Sequence, residues 1–118
     1  MVLLVIEDRT LSDLLSEALV DAGHTVTQVE DASAAEHVLD GRRFDSAIVD
    51  LDTRARDGAR LIALLRTRQP TLTVIALLPC GGLPDSAVGP GYDLALEKPA
   101  RLAAILSAVS VARAAIRN

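Results

Sequence analysis

Along this chain, short apolar runs alternate with stretches whose apolar residues recur at helical spacing, and that alternation restricts the fold more than any other feature. Val2 to Ile6, Ala47 to Val49 and Thr73 to Leu78 are apolar with little or no polar interleaving. Short runs of this kind are expected for strands buried on both faces, as in a parallel sheet. His24 to Val29 alternates more loosely and suits an edge strand, and Asp93 to Leu96 makes a short fifth strand. Between them, Leu11, Leu14, Leu15, Ala18, Leu19 and Ala22 form a helical stripe, with Thr10 as N-cap and Gly23 as stop. Ala34, Ala35, Val38 and Leu39 form a second stripe, capped by Asp31 or Ser33 and ended by Gly41. Ala59 to Gln69 reads as a third helix, with Leu61, Ile62, Leu64 and Leu65 inward and Pro70 ending it. Pro99 opens a last helix carrying Leu102, Ile105, Leu106 and Val109. The segment 79–91, PCGGLPDSAVGPG, is dense in Gly and Pro, so a loop with at most one short helical turn is expected there.

Strand and helix alternating five times predict a parallel α/β sheet with helices on both faces. The 118 residues suit one domain over 1–118. Composition narrows the function. The apolar half of the chain is nearly all Ala, Val, Leu and Ile, with one Phe, one Tyr and no Trp, so platforms for stacking bases are scarce. A formal charge of -4 argues against duplex DNA as a partner. No apolar run approaches the roughly 20 residues that span a bilayer. MVLLVIED lacks a basic leader and reads as a strand instead of a signal peptide. One cysteine, Cys80, cannot form an internal disulfide, which makes a reducing cytoplasm the expectation.

In open parallel sheets the site lies at the carboxyl ends of the strands. Glu7 and Asp8 follow the first strand, Asp50 ends the third with Asp52 just beyond, and Lys98 follows the fifth. If the strand order is 2-1-3-4-5, these carboxylates crowd one pocket beside an ammonium. Like charges resist sharing a site, and a hard divalent cation relieves them. An all-oxygen set suits Mg2+. Nothing suits zinc, since His24 and His37 are isolated and no Cys–His spacing exists.

LLVIED, then AIVDLDTRARDG, then LALEKPARL resembles the receiver domain of two-component response regulators. The resemblance covers nearly the whole chain. An acid pair ends the first strand, an Asp ends the third with Asp57-Gly58 after it, and Lys98-Pro99 follows the fifth. It implies a flavodoxin-like (βα)5 three-layer sandwich with a five-stranded sheet in order 2-1-3-4-5, its fourth helix short or missing. It further implies that Asp50 accepts a phosphoryl group from a histidine kinase or phosphotransfer protein. Glu7, Asp8, Asp50 and the backbone carbonyl of Asp52 would hold Mg2+, and Lys98 would contact phosphoryl oxygens. The resemblance also implies a cytoplasmic signalling phosphoacceptor and not a metabolic enzyme. Such a chain would act on a downstream protein target or output domain, with no direct nucleic-acid binding and no membrane insertion. The oligomeric state, homodimer included, stays open.

The chain also departs from the family pattern. Where the family usually places Thr or Ser at the end of the fourth strand, this sequence has Leu78. Where it usually carries an aromatic three residues before the Lys, this sequence has Ala95. Arg54 replaces a common proline, and the glycine-rich 79–91 segment resembles an atypical, often stand-alone subgroup that works with HWE-type histidine kinases. Leu78 and Ala95 favour a rival reading, a phosphorylation-independent pseudo-receiver used for binding or dimerisation. A flavodoxin-like cofactor binder would need a phosphate-cradling loop after the first strand, and EDRTLSD offers acids there.

Overall fold

The computed structural model describes residues 1–50, 58–78, 94–97, 105–107 and 109. The elements are β1 (Val2–Val5), α1 (Arg9–Asp21), β2 (Val26–Val29), α2 (Ala32–Leu39), β3 (Ser46–Asp50), α3 (Gly58–Arg68), β4 (Thr73–Leu78) and β5 (Leu94–Glu97). All strand pairs are parallel, and the sheet order is β2-β1-β3-β4-β5. The expected order and fold class are therefore observed. The fourth helix, expected short or missing, lies outside the described residues.

The apolar runs of β1, β3 and β4 lack a polar alternation because those strands are buried on both faces. Val2, Leu4, Ile6, Ile48, Ile75 and Leu77 face Leu15 and Leu19 of α1, together with Ile105 and Val109. Their neighbours Leu3, Val5, Ala47, Val49, Val74 and Ala76 face Ala35 and Leu39 of α2 and Leu61, Ile62 and Leu65 of α3. Successive side chains on a strand point to opposite faces, so one apolar run serves two cores. Right-handed crossovers explain the division of the helices. The chain moves one way from β1 to β2 and the other way from β2 through β4, which puts α1 on one face and α2 and α3 on the other. The reversal falls between β1 and β3, where a crevice opens at the carboxyl ends.

Several local expectations need correction. Asp8, not Thr10, caps α1: its Oδ1 accepts from the backbone N–H of Thr10 at 3.0 Å and of Leu11 at 3.3 Å. Leu14 is exposed although it belongs to the apolar stripe, and the polar Ser12 is buried in its stead. Ser12 is accommodated because its Oγ accepts a hydrogen bond of 2.9 Å from Gln28 Nε2 of β2. β2 begins at Val26, α3 begins at Gly58, and β5 is shifted by one residue so that Glu97 lies inside it. The expected stop at Gly23 is present in detail. Gly23 has φ 96° and donates to Val20 O, while His24 donates to Leu19 O. That pair of bonds is the Schellman closure, which needs the left-handed conformation glycine adopts readily.

At the amino ends of the strands, Gln69 joins two loops. Its Oε1 accepts from Phe44 N–H at 2.9 Å, and its Nε2 donates to the carbonyls of Leu39 and Arg42. A buried or half-buried backbone group left without its partner costs about 1–3 kcal/mol. Gln69→Ala is therefore expected to destabilise the chain by roughly that amount. Urea denaturation checks this, and amide exchange at Phe44 should accelerate in the same variant.

Candidate functional site

β1 and β3 are adjacent, with Val5 in register with Val49. Continuing both strands toward their carboxyl ends brings Glu7 and Asp8 to the rim beside Asp50. Asp50 is the final residue of β3, in register with Leu77 of β4, and is 5% exposed. A carboxylate at that depth must be held by partners or by a cation, because burying an uncompensated charge is expensive. Glu7 and Asp8 are exposed. Two exposed acids therefore follow β1 and one buried acid ends the adjacent β3, all at the carboxyl edge of the sheet.

The neighbours decide what charge that edge presents. Arg9 follows the acid pair directly but turns away from it. Its Nε lies 3.4 Å from Asp13 and its Nη1 3.9 Å from Glu30. Gln28 Nε2 also donates to Asp13 Oδ1 at 2.9 Å, tying α1 to β2 beneath this pair. No ion pair to Glu7 or Asp8 exists among the described residues. Asp8 already has a structural task, since its Oδ1 caps α1. The cap signal, an Asp just before the first apolar residues of a helical stripe, was available in the sequence and went to Thr10 instead. Asp8→Ala should cost about 0.5–2 kcal/mol in a urea titration, while Asp8→Asn, whose side-chain oxygen still accepts, should cost much less.

Asp52 and Lys98, the expected carbonyl ligand and phosphoryl contact, lie outside the described residues. Among the described residues no group of three or more His, Cys, Asp and Glu side chains is close enough to hold a metal ion by itself. The donor chemistry nonetheless fits a hard cation: Glu7, Asp8 and Asp50 offer only carboxylate oxygens, one of them buried. The two positions that depart from the expected pattern are also located. Leu78 is the last residue of β4, in register with Glu97, and Ala95 sits in β5 in register with Ala76.

The model of the response regulator receiver domain family matches residues 2–110. The chain belongs to the response-regulator receiver family. The response regulator protein FleR of Pseudomonas aeruginosa is 36% identical over 111 residues, a match covering 92% of this chain and 24% of FleR. The transcriptional regulatory protein TctD of Salmonella typhimurium is 36% identical over 102 residues, covering 85% of this chain and 46% of TctD. The receiver thus spans less than half the length of these curated relatives. Among solved structures, a CheY-like response regulator receiver domain protein from Methanospirillum hungatei superposes with a TM-score of 0.87 at 15% identity. That superposition covers 99% of this chain and 96% of the other, and at such identity it speaks for the fold alone. Membership in the receiver family carries a phosphoacceptor role in two-component signalling, with histidine kinases as the family's partners. Among the described residues, no helix is long and apolar enough to cross a membrane.

Proposed function

We propose that residues 1–118 form one receiver domain that takes a phosphoryl group onto Asp50 in a Mg2+-dependent phosphorelay. The observation that carries this reading is the burial of Asp50 at the carboxyl end of a central strand, beside the exposed acids that follow β1. A carboxylate oxygen of Asp50 attacks phosphorus, the phosphorus–nitrogen bond of a partner's phosphohistidine breaks, and the imidazole leaves with the bonding electron pair. Glu7, Asp8, Asp50 and the backbone carbonyl of Asp52 would hold the ion, and Lys98 would meet the phosphoryl oxygens. Bound Mg2+ would supply neutralisation of the crowded negative charge. The chain's own contribution is position: β3 fixes the acceptor, and the Asp8 cap fixes the start of α1 against it. Depth at Asp50 also limits water access to the acyl phosphate. The partner is a histidine kinase or phosphotransfer protein, the setting cytoplasmic, and the output a protein–protein contact. The chain then acts as a phosphoacceptor and not as a metabolic enzyme.

The residues at the usual switch positions favour a second reading, a pseudo-receiver that binds without phosphorylation. Leu78 offers no hydroxyl to a phosphoryl group, and Ala95 has no ring to swing. A hydrogen bond to a charged group contributes roughly 1.5–3 kcal/mol. Its loss weakens a two-state bias about ten- to a hundredfold. Amide NMR during titration with Mg2+ and then beryllium fluoride separates the readings. Saturable shifts at Glu7, Asp8 and Asp50 support the acceptor. A spectrum unmoved at millimolar Mg2+ leaves the pseudo-receiver.

A further inference from the structure

At the opposite pole of the sheet from Asp50, the loops entering β3 and β4 enclose a cleft of about 480 Å3 lined by residues 39–44 and 68–71. Three arginines, Arg42, Arg43 and Arg68, stand there against one aspartate, Asp40. This is a local excess of positive charge on a chain whose formal charge is -4. Arg68 is occupied: it pairs with Asp40 and, at 3.0 Å, with Glu36. Among the described residues the Arg42 guanidinium has only a hydrogen bond of 3.3 Å to Thr27 Oγ1, and Arg43 has no hydrogen bond or ion pair. The frame around them is preset. Gln69 ties the two loops through Phe44, Leu39 and Arg42, and Arg66 Nη1 donates to Leu72 O at 2.8 Å behind them.

We infer that this cleft docks an acidic segment of a partner protein, with spaced carboxylates taken by Arg42 and Arg43. Exposed arginines make up much of its lining, whereas small-molecule sites are lined predominantly by apolar and aromatic side chains. Tight phosphate binding needs several donors converging on one group. Here Arg68 is engaged by its own acids and Arg42 is bonded to Thr27, so the available charge is spread along the rim. Spread charge on a net-acidic molecule selects a partner by electrostatic complementarity and speeds its approach. The cleft lies away from the acceptor, so docking there needs neither Mg2+ nor Asp50.

The test titrates the whole labelled chain with the capped peptide Glu-Glu-Leu-Glu-Glu, with its Gln-Gln-Leu-Gln-Gln counterpart, and with inorganic pyrophosphate. Amide shifts at residues 39–44, 69 and 71 are expected from the acidic peptide alone, weakening as salt rises. Arg43→Ala should weaken binding roughly two- to fivefold, and the double variant Arg42→Glu/Arg43→Glu should remove it. Arg43 has no partner to lose, so the single variant keeps the fold, and its unperturbed spectrum elsewhere verifies that. The same shifts in Asp50→Asn without Mg2+ separate this result from the phosphoacceptor reading. Equal binding of the glutamine peptide, tighter binding of pyrophosphate, or indifference to charge reversal would each overturn the assignment.

Discussion

Asp50→Asn is expected to yield a folded chain that takes up no phosphoryl group. With labelled acetyl phosphate or a phosphorylated histidine kinase and Mg2+, incorporation should fall at least roughly a hundredfold, to background. The reason is specific to this position. Asn is nearly isosteric with Asp, so it occupies the same 5%-exposed place at the end of β3. Its neutral amide oxygen is a poor nucleophile and cannot give a stable acyl phosphate. Label retained in the Asn variant would mean that another carboxylate is the acceptor and would sink the assignment of Asp50. Label absent from both chains would turn the reading toward the pseudo-receiver.

A comparably large effect on stability is expected from Leu15→Ala, and its neighbour supplies the control. Leu14 and Leu15 belong to one apolar stripe in the sequence, but Leu15 is 1% exposed and Leu14 54%. Leu15 packs in the core on the α1 face of the sheet, among residues including Leu4, Ile48 and Ile75. Truncating it removes buried methyl groups and leaves a cavity that a close-packed interior fills only in part, at about 2–5 kcal/mol. That is a large share of the roughly 5–15 kcal/mol that holds such a domain. Leu14→Ala removes surface already in contact with water and should change stability by less than about 0.5 kcal/mol. Parallel urea titrations decide the matter. Similar losses in both variants would mean that Leu14 is covered in solution.

Most of the architecture was legible because its signals are local. The apolar runs at Val2 to Ile6 and Thr73 to Leu78 mark strands buried on both faces, and the stripes between them mark helices. Gly23 could be read as a stop because a left-handed residue has few alternatives to glycine. Errors fell where two local candidates competed and a distant contact chose. Thr10 and Asp8 can both cap α1, and Asp8 takes the role because the chain leaves β1 extended and turns there. Leu14 and Ser12 exchange places because Gln28 of β2 satisfies the Ser12 hydroxyl, a bond spanning 16 residues. The Gln69 clasp, which reaches 25 residues back to Phe44, had no local trace.

By itself the sequence determined the five strands, the helices α1 to α3 between them and the identity of the strand-end acids Glu7, Asp8 and Asp50, while the sheet order came through the family resemblance. The elements and the acids follow from periodicity and residue type, which every segment carries within itself. Only the tertiary structure decided that Asp50 is buried while Glu7 and Asp8 are exposed, that Arg9 is drawn off to Asp13 and Glu30, and that Arg42 and Arg43 share a cleft with Arg68. Burial depth and charge pairing depend on which distant segments come into register, and the parallel sheet sets that register only once its strands have assembled.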